Sequence, residues 1–352
     1  MSTGMRERPG RTSNSGAAAG AAPDALPIAA VRTVLMGDPA HFSVRGGANP
    51  HTRTRWGTRR RVDRARAIEQ WRGLRARLEE LGVRVVVVPP DPAQPGLVYP
   101  ANAGFMCETD RPLPAARRHF TLSNLLPTRA GERPHYERVL RTAGFRLGTI
   151  DPTRRFEGEA DFFPAAGHYL LTHGGIERQR FVPRFGIPPW RRVYGFRSDG
   201  RLLGPLSDIV APVPVLRLEL VLEAHYHGDT ALCAFGPRRE HLLVYRKALS
   251  REANAILDEQ LGDALVELGE EDAHRYAANA FSVREHDHGT PCLVLPAGVS
   301  DRLVGQLRER GIVPVQVDVS EFLKKGGGSV KCMIGDLGPV GAEELAEPAG
   351  AA

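Results

Sequence analysis

The chain has 352 residues, a net charge of +6, 42% hydrophobic residues and 25% charged residues. That is enough for one large domain or two ordinary ones with a full core, and the balance is that of a soluble globular protein. It excludes a transmembrane helix, because no apolar run approaches the ~20 residues that cross a bilayer, and it argues against a disulfide framework or a cysteine-built zinc site. The four cysteines (Cys107, Cys233, Cys292 and Cys332) include no C-x-x-C pair, and a reducing cytoplasm is their simplest setting.

Residues 1–27 have no continuous apolar stretch and read as a flexible arm rather than a signal peptide. A strand is expected over 31–37. Arginine is densest from Arg53 to Gly82, where Ile68, Trp71, Leu74, Leu78 and Leu81 recur at helical spacing. This predicts an amphipathic helix over 60–82 with a solvated arginine face. The helix has no interleaved aromatics and no zinc-finger spacing, so the positive charge does not by itself point to nucleic acid. Further strands are expected at 83–90, 97–106, 145–151, 161–174, 229–236, 241–249, 291–297, 313–319 and 329–338. Helices are expected at 133–144, 250–268 and 299–311. The last has Ser300 as N-cap, Leu303 and Leu307 on one face, and Gly311 as its stop.

The order helix, strand, turn, strand recurs, which predicts an α/β protein of pseudo-symmetric α-β-β units. No G-x-G-x-x-G follows a first strand and there is no phosphate-binding loop, so no nucleotide cofactor is expected. Residues 183–215 are rich in Pro, Gly and Arg and read as an inserted loop or lid. Residues 341–352 read as a C-terminal tail.

Three clusters carry candidate chemistry. In an extended FEGEAD segment, Glu157, Glu159 and Asp161 would share one face, where they require a cation or hydrogen-bond donors. The bland alternative is a solvated turn paired with surface arginines. In His225-Tyr226-His227-Gly228-Asp229, an extended backbone would put His227 and Asp229 on one face, with the imidazole poised for proton transfer. The alternatives are a metal pair, which the absence of an H-E-x-x-H arrangement disfavours, and a histidine satisfied by backbone. In GGGSVKC, three glycines permit close approach or positive φ, and Lys331 would favour a thiolate at Cys332. The alternative there is a glycine turn entering a core strand, with Cys332 as a small hydrophobe.

Together, and in this order, these segments resemble the guanidino-group-modifying enzyme superfamily, which includes arginine deiminases, dimethylarginine dimethylaminohydrolases, arginine dihydrolases and amidinotransferases. LVYPANAG (97–104) is similar to D-x-V-F-T-A-N-A-G, FEGEAD to E-G-x-x-D, HGDTAL to H-L-D-T-A-L, and GGGSVKC to G-G-G-S-V-R/K-C. The likeness extends over most of 31–338. It implies a five-bladed pseudo-symmetric α/β propeller, a single catalytic domain over 28–340, and no metal or cofactor. It makes Cys332 the nucleophile and His227 the general acid/base, with Glu157 binding substrate or orienting His227. Asp229, Asp161, Asn102 and Asn49 would face the substrate, Asn49 as in the dihydrolase branch. The implied partner is a small guanidino compound, with an amine acceptor if the chain is an amidinotransferase; nucleic acid and membrane are not expected, and a homodimer is compatible. The wording sits closer to the hydrolases. The sequence departs from the pattern at Gly228, at Tyr99-Pro100, at 183–215, and in a G-y-G-x-R-T stretch for which THGGIERQRF offers only Arg178 or Arg180.

Overall fold

In the computed structural model, one strand arrangement recurs in five three-stranded sheets among the described residues. These are residues 30–341 apart from 45–48, 55–57, 179, 185–186 and 285–288, together with Met1. The expected arm and tail lie outside them, except for Met1 and Gly341.

The chain begins with β1 (Ala30–Gly37), α1 (Arg64–Glu80) and β2 (Arg84–Val88). A second unit follows: β3 (Gly104–Met106), β4 (His119–Leu122), α2 (Arg133–Thr142) and β5 (Arg146–Thr149). The third is β6 (Phe162–Ala165), β7 (His168–His173), the hairpin β8 (Arg180–Arg184) and β9 (Ile187–Val193), then α3 (Leu203–Val210) and β10 (Val215–Glu219). The fourth is β11 (Leu232–Phe235), β12 (His241–Val244), α4 (Arg251–Leu261) and β13 (Leu265–Glu267). A short α5 (Glu270–His274) leads into β14 (Phe281–Arg284), β15 (Pro291–Pro296), α6 (Asp301–Glu309) and β16 (Val313–Val317). The last strand is β17 (Gly335–Gly341).

In the second to fifth units the first two strands pair antiparallel, and the helix returns the chain to a third strand parallel to the second. That is the connection a parallel pair requires. The first sheet is completed by the far end of the chain: β17 pairs antiparallel with β1, from Ala30↔Gly341 to Leu35↔Gly335, and β2 lies parallel on the other side. The expected α-β-β grouping is thereby corrected. The two strands that follow a helix do not pair with each other; one closes its own sheet and the next opens the neighbouring one.

Local rules explain the elements that match. Asp63 caps α1 by accepting from Arg66 N, and Ala67, Trp71, Leu74 and Leu78 fall on its buried face. Leu74 and Leu78 are at most 1% exposed, so truncating either to Ala costs about 2–5 kcal/mol. Ser300 caps α6 as expected, accepting from Leu303 N.

Two expectations fail for one reason: each unit needs a third strand. The helix expected over 250–268 stops at Leu261, and 265–267 becomes β13, with Val266 in the core. The loop expected over 183–215 contains half of a hairpin, then α3 and β10, which are the ordinary helix and strand of the third unit. Pro205 is tolerated because it lies in the first turn of α3. The added element is therefore the hairpin β8–β9.

Candidate active site

Each sheet is entered through a loop that ends just before its first strand. Four of these loops close on short 3-10 turns, at Pro100–Asn102, Gly158–Ala160, Gly228–Thr230 and Lys331–Met333. The turn at 100–102 touches those at 158–160 and 331–333, and 158–160 touches 228–230. In the fifth such loop Asn279 bonds both to the 229 segment and to the 332 segment, completing a ring of loops. Residues more than 200 positions apart in sequence meet at its centre.

One side of the ring is ionic. His227 Nε2 lies 3.2 Å from Glu157 Oε2, and Nδ1 lies 3.1 Å from Asp161 Oδ2. All three side chains are at most 2% exposed. Burial disfavours the imidazolium, but the two carboxylates outweigh it and raise the His227 pKa to about 9. Burial likewise opposes charge on Glu157, yet His227, Arg197 and Arg129 draw its pKa down to about 2. Asp161 is fully occupied: Oδ2 also accepts from Ser198 Oγ at 2.7 Å, and Oδ1 accepts from Thr172 Oγ1 at 2.8 Å and Gly228 N at 2.9 Å. Asp161, expected against the substrate, thus stands behind His227 and holds the ring. The glycine that departs from the family pattern has a steric reason: a Cβ on Gly228 would come 2.2 Å from Thr172 Oγ1.

The other side is built around a thiol. The Cys332 sulfur lies 3.4 Å from Asp229 Oδ2 and accepts from Asn279 Nδ2 at 3.2 Å. Burial and then the Asp229 charge push the thiol pKa well above its ordinary value. Burial raises Asp229 to about 6, against the pull of the His227 and Lys331 charges. Lys331 does not reach the sulfur, and the thiol stays protonated beside it. Its ammonium pairs with Glu159 at 2.8 Å and donates to Ile334 O.

The expected extended segments are corrected by the 3-10 turns. Glu157 and Asp161 reach His227, but the turn between them sends Glu159 away toward Lys331 and Asp336 N. The turn after His227 sends Asp229 to Cys332 instead of to the imidazole. Among the described residues no cluster of His, Cys, Asp and Glu has a metal-holding arrangement.

A cavity of about 340 Å³ opens onto both sides, lined by Cys332, His227, Glu157, Asn102 and Asn49 among others. Asp229 and Asp161 stand one layer behind. Asn102 Nδ2 is 3.4 Å from His227 Nε2, and its Oδ1 accepts from Arg129 Nη1 at 2.7 Å. Asn49 donates to Gly326 O at 2.9 Å and to Tyr226 Oη at 3.2 Å, pinning the glycine loop. That loop packs on Tyr99, where a Cβ on Gly326 would come 1.7 Å from Oη, and Gly327 has φ of 84°. The cavity wall also carries two cations that sequence reasoning missed, Arg129 and Arg197. Arg178 and Arg180, the expected substitutes, are exposed on the surface. The signal for Arg197 was present in YGFRS, displaced downstream by the hairpin β8–β9; its neighbour Ser198 accepts from Glu157 N and donates to Asp161.

A family profile described as N,N dimethylarginine dimethylhydrolase, eukaryotic, matches residues 225–338. The N(G),N(G)-dimethylarginine dimethylaminohydrolase of Mycobacterium tuberculosis is 32% identical over 310 residues, 88% of this chain and 86% of that protein. The bifunctional arginine dihydrolase/ornithine cyclodeaminase AgrE of Nostoc sp. is 29% identical over 301 residues, 85% of this chain but 37% of that longer protein. Among solved structures, the substrate-bound N-terminal domain of the cyanobacterial arginine dihydrolase ArgZ has a TM-score of 0.71 at 24% identity, covering 87% of this chain and 98% of its own. A dimethylarginine dimethylaminohydrolase variant carrying an S-methyl-L-thiocitrulline adduct has a TM-score of 0.61 at 19% identity, covering 87% and 100%. These structural likenesses bear on the fold.

Proposed function

The chain belongs to the dimethylarginine dimethylaminohydrolase family, and from that premise we propose that it is a cysteine-dependent hydrolase of the guanidinium group of arginine or an arginine derivative. The five repeated sheets support one catalytic domain over 28–340 built as a five-bladed α/β propeller. The observation that carries the chemistry is the opening of Cys332, His227 and Glu157 onto one cavity.

A guanidinium bound in the cavity against Glu157, with the Asp229 charge behind the sulfur, supplies the positive charge that the thiol lacks. The thiol then gives its proton to solvent in the cavity, and the sulfur attacks the guanidinium carbon. His227 gives its Nε2 proton to the departing nitrogen, the C–N bond breaks, and an amidino group remains on sulfur. Neutral His227 next takes a proton from water as its oxygen adds to the same carbon. The C–S bond breaks and the product hydroxyl gives its proton back to the sulfur, leaving a urea-type product, the regenerated thiol and a charged His227. Asp161 keeps the imidazole oriented throughout. Arg197 on the wall suits an anionic group on the same substrate, such as a carboxylate; Arg129 is already held by Glu132 and Asn102. The route needs no metal or cofactor.

The test is incubation with arginine and its methylated derivatives, with and without a panel of amines, followed by quenching and intact-protein mass measurement. Ureido product plus ammonia or methylamine in the absence of an acceptor, with an amidino adduct on Cys332, is the expected outcome. Product that forms only with an acceptor amine would replace this reading by an amidinotransferase, and no turnover of any guanidine would overturn it.

A further inference from the structure

Asn279 was not singled out by any motif, yet its carboxamide bonds to Cys332 at both the backbone N–H and the sulfur. It is fully buried, at 0% exposure, in the loop that enters β14. Its Oδ1 accepts from Ser329 N at 2.9 Å and from Cys332 N at 3.1 Å. Two backbone N–H groups on one atom fix which end of the amide is oxygen. The other end must therefore be the donor, and Nδ2 donates to Asp229 O at 3.1 Å and to Cys332 Sγ at 3.2 Å. The main-chain carbonyl of Asn279 accepts from Lys331 N at 3.1 Å.

Resting on the nucleophile assignment above, we propose that Asn279 is a further catalytic residue: its Nδ2–H donates to the Cys332 sulfur and stabilises the thiolate. The physical case is one of contrast among the neighbours of the sulfur. Asp229 lies 3.4 Å away and opposes negative charge there. His227 already has both ring nitrogens against carboxylates. Lys331 points to Glu159. Asn279 Nδ2 is the side-chain donor that faces the sulfur, beside the backbone N–H of Ser329, and a hydrogen bond to a charged acceptor is stronger than one between neutral groups. Because one carboxamide holds Ser329, Cys332 and Asp229 together, the donor cannot swing away from the sulfur without breaking the loop that carries it. Asn279 is not among the residues lining the cavity, so its effect belongs on the chemical step and not on substrate capture.

The test uses the full-length protein and iodoacetamide, with alkylation of Cys332 followed by mass spectrometry across pH. Asn279→Asp keeps an oxygen for the Ser329 and Cys332 N–H groups but replaces the donor with an acceptor. The midpoint of Cys332 alkylation should move to higher pH, and the rate at a fixed neutral pH should fall about tenfold or more. The value of kcat should fall by a similar factor with KM changed less than threefold or so. Asn279→Ser removes the donor without adding charge and carries the same expectation should the aspartate variant not fold. A folded variant whose alkylation profile and kcat coincide with the wild type overturns the proposal. Alkylation needs no guanidine, so a wrong substrate leaves this test intact. Turnover by Cys332→Ser would instead overturn the nucleophile assignment itself.

Discussion

His227 and Cys332 are equally buried, at 2% and 3% exposure, yet one is held charged and the other neutral. Burial opposes charge on both. At His227 two carboxylates of opposite sign to the imidazolium outweigh it, whereas at Cys332 the single carboxylate has the same sign as the thiolate and adds to it. In the proposed mechanism the general acid is thus prepared by the protein alone, while the nucleophile depends on a positive charge that the substrate brings. In that mechanism the division ties thiolate formation to guanidinium binding and keeps a buried cysteine from reacting indiscriminately.

The comparison can be broken from either side. Cys332→Ser should lower turnover about a thousandfold or more and abolish the covalent adduct; near-normal turnover would remove the nucleophilic half altogether. His227→Gln should lower turnover by about 10²–10⁴-fold, and rapid-quench mass measurement distinguishes failure to form the adduct from failure to release it. Asp229→Asn sharpens the contrast, because it has opposite effects on two readouts. Substrate binding should weaken about tenfold through loss of a negative charge behind the cavity wall, while alkylation of Cys332 without substrate should become faster at neutral pH. Slower alkylation would mean that Asp229 is not what holds the thiol neutral.

The smallest effect is on stability against pH. The folded pKa of His227 lies near 9, above its ordinary 6.5. Its ionic contribution is therefore complete below about pH 6.5 and is lost as pH rises through about 9. Glu157, drawn down to about 2 from 4.5, contributes fully above about pH 4.5 and loses its share as pH falls through about 2. Thermal melts of wild type should decline by a few degrees between pH 6.5 and 9, and His227→Gln should flatten that decline. A variant with the same alkaline slope as the wild type would assign the slope to other groups.

Much of this site was legible in the chain. The motifs around Asn102, Glu157, His227 and Cys332 are short and contiguous, and each sits in a loop just ahead of a strand, so residue type and order alone identify them. The caps and apolar spacing of α1 and α6 were equally local, because a helix obeys its own neighbours. What local pattern misjudged was direction. An extended backbone places alternate side chains together, and the 3-10 turns at 158–160 and 228–230 undo that, sending Asp161 to His227 and Asp229 to Cys332.

Arg197 was hidden because the hairpin β8–β9 displaces YGFRS along the sequence without displacing it in space. Asn279 was hidden because an asparagine between alanines has no distinguishing pattern; its meaning comes from carbonyl, amide and sulfur partners some 50 residues away. The sequence by itself determined which polar loop residues gather at one cavity and the caps and buried faces of α1 and α6. Only the tertiary structure decided which carboxylate serves which partner and which protonation state burial allows. The pKa of a buried group depends on the sign and distance of charges that the chain brings together from separate loops, and that information exists only once the ring of loops has closed.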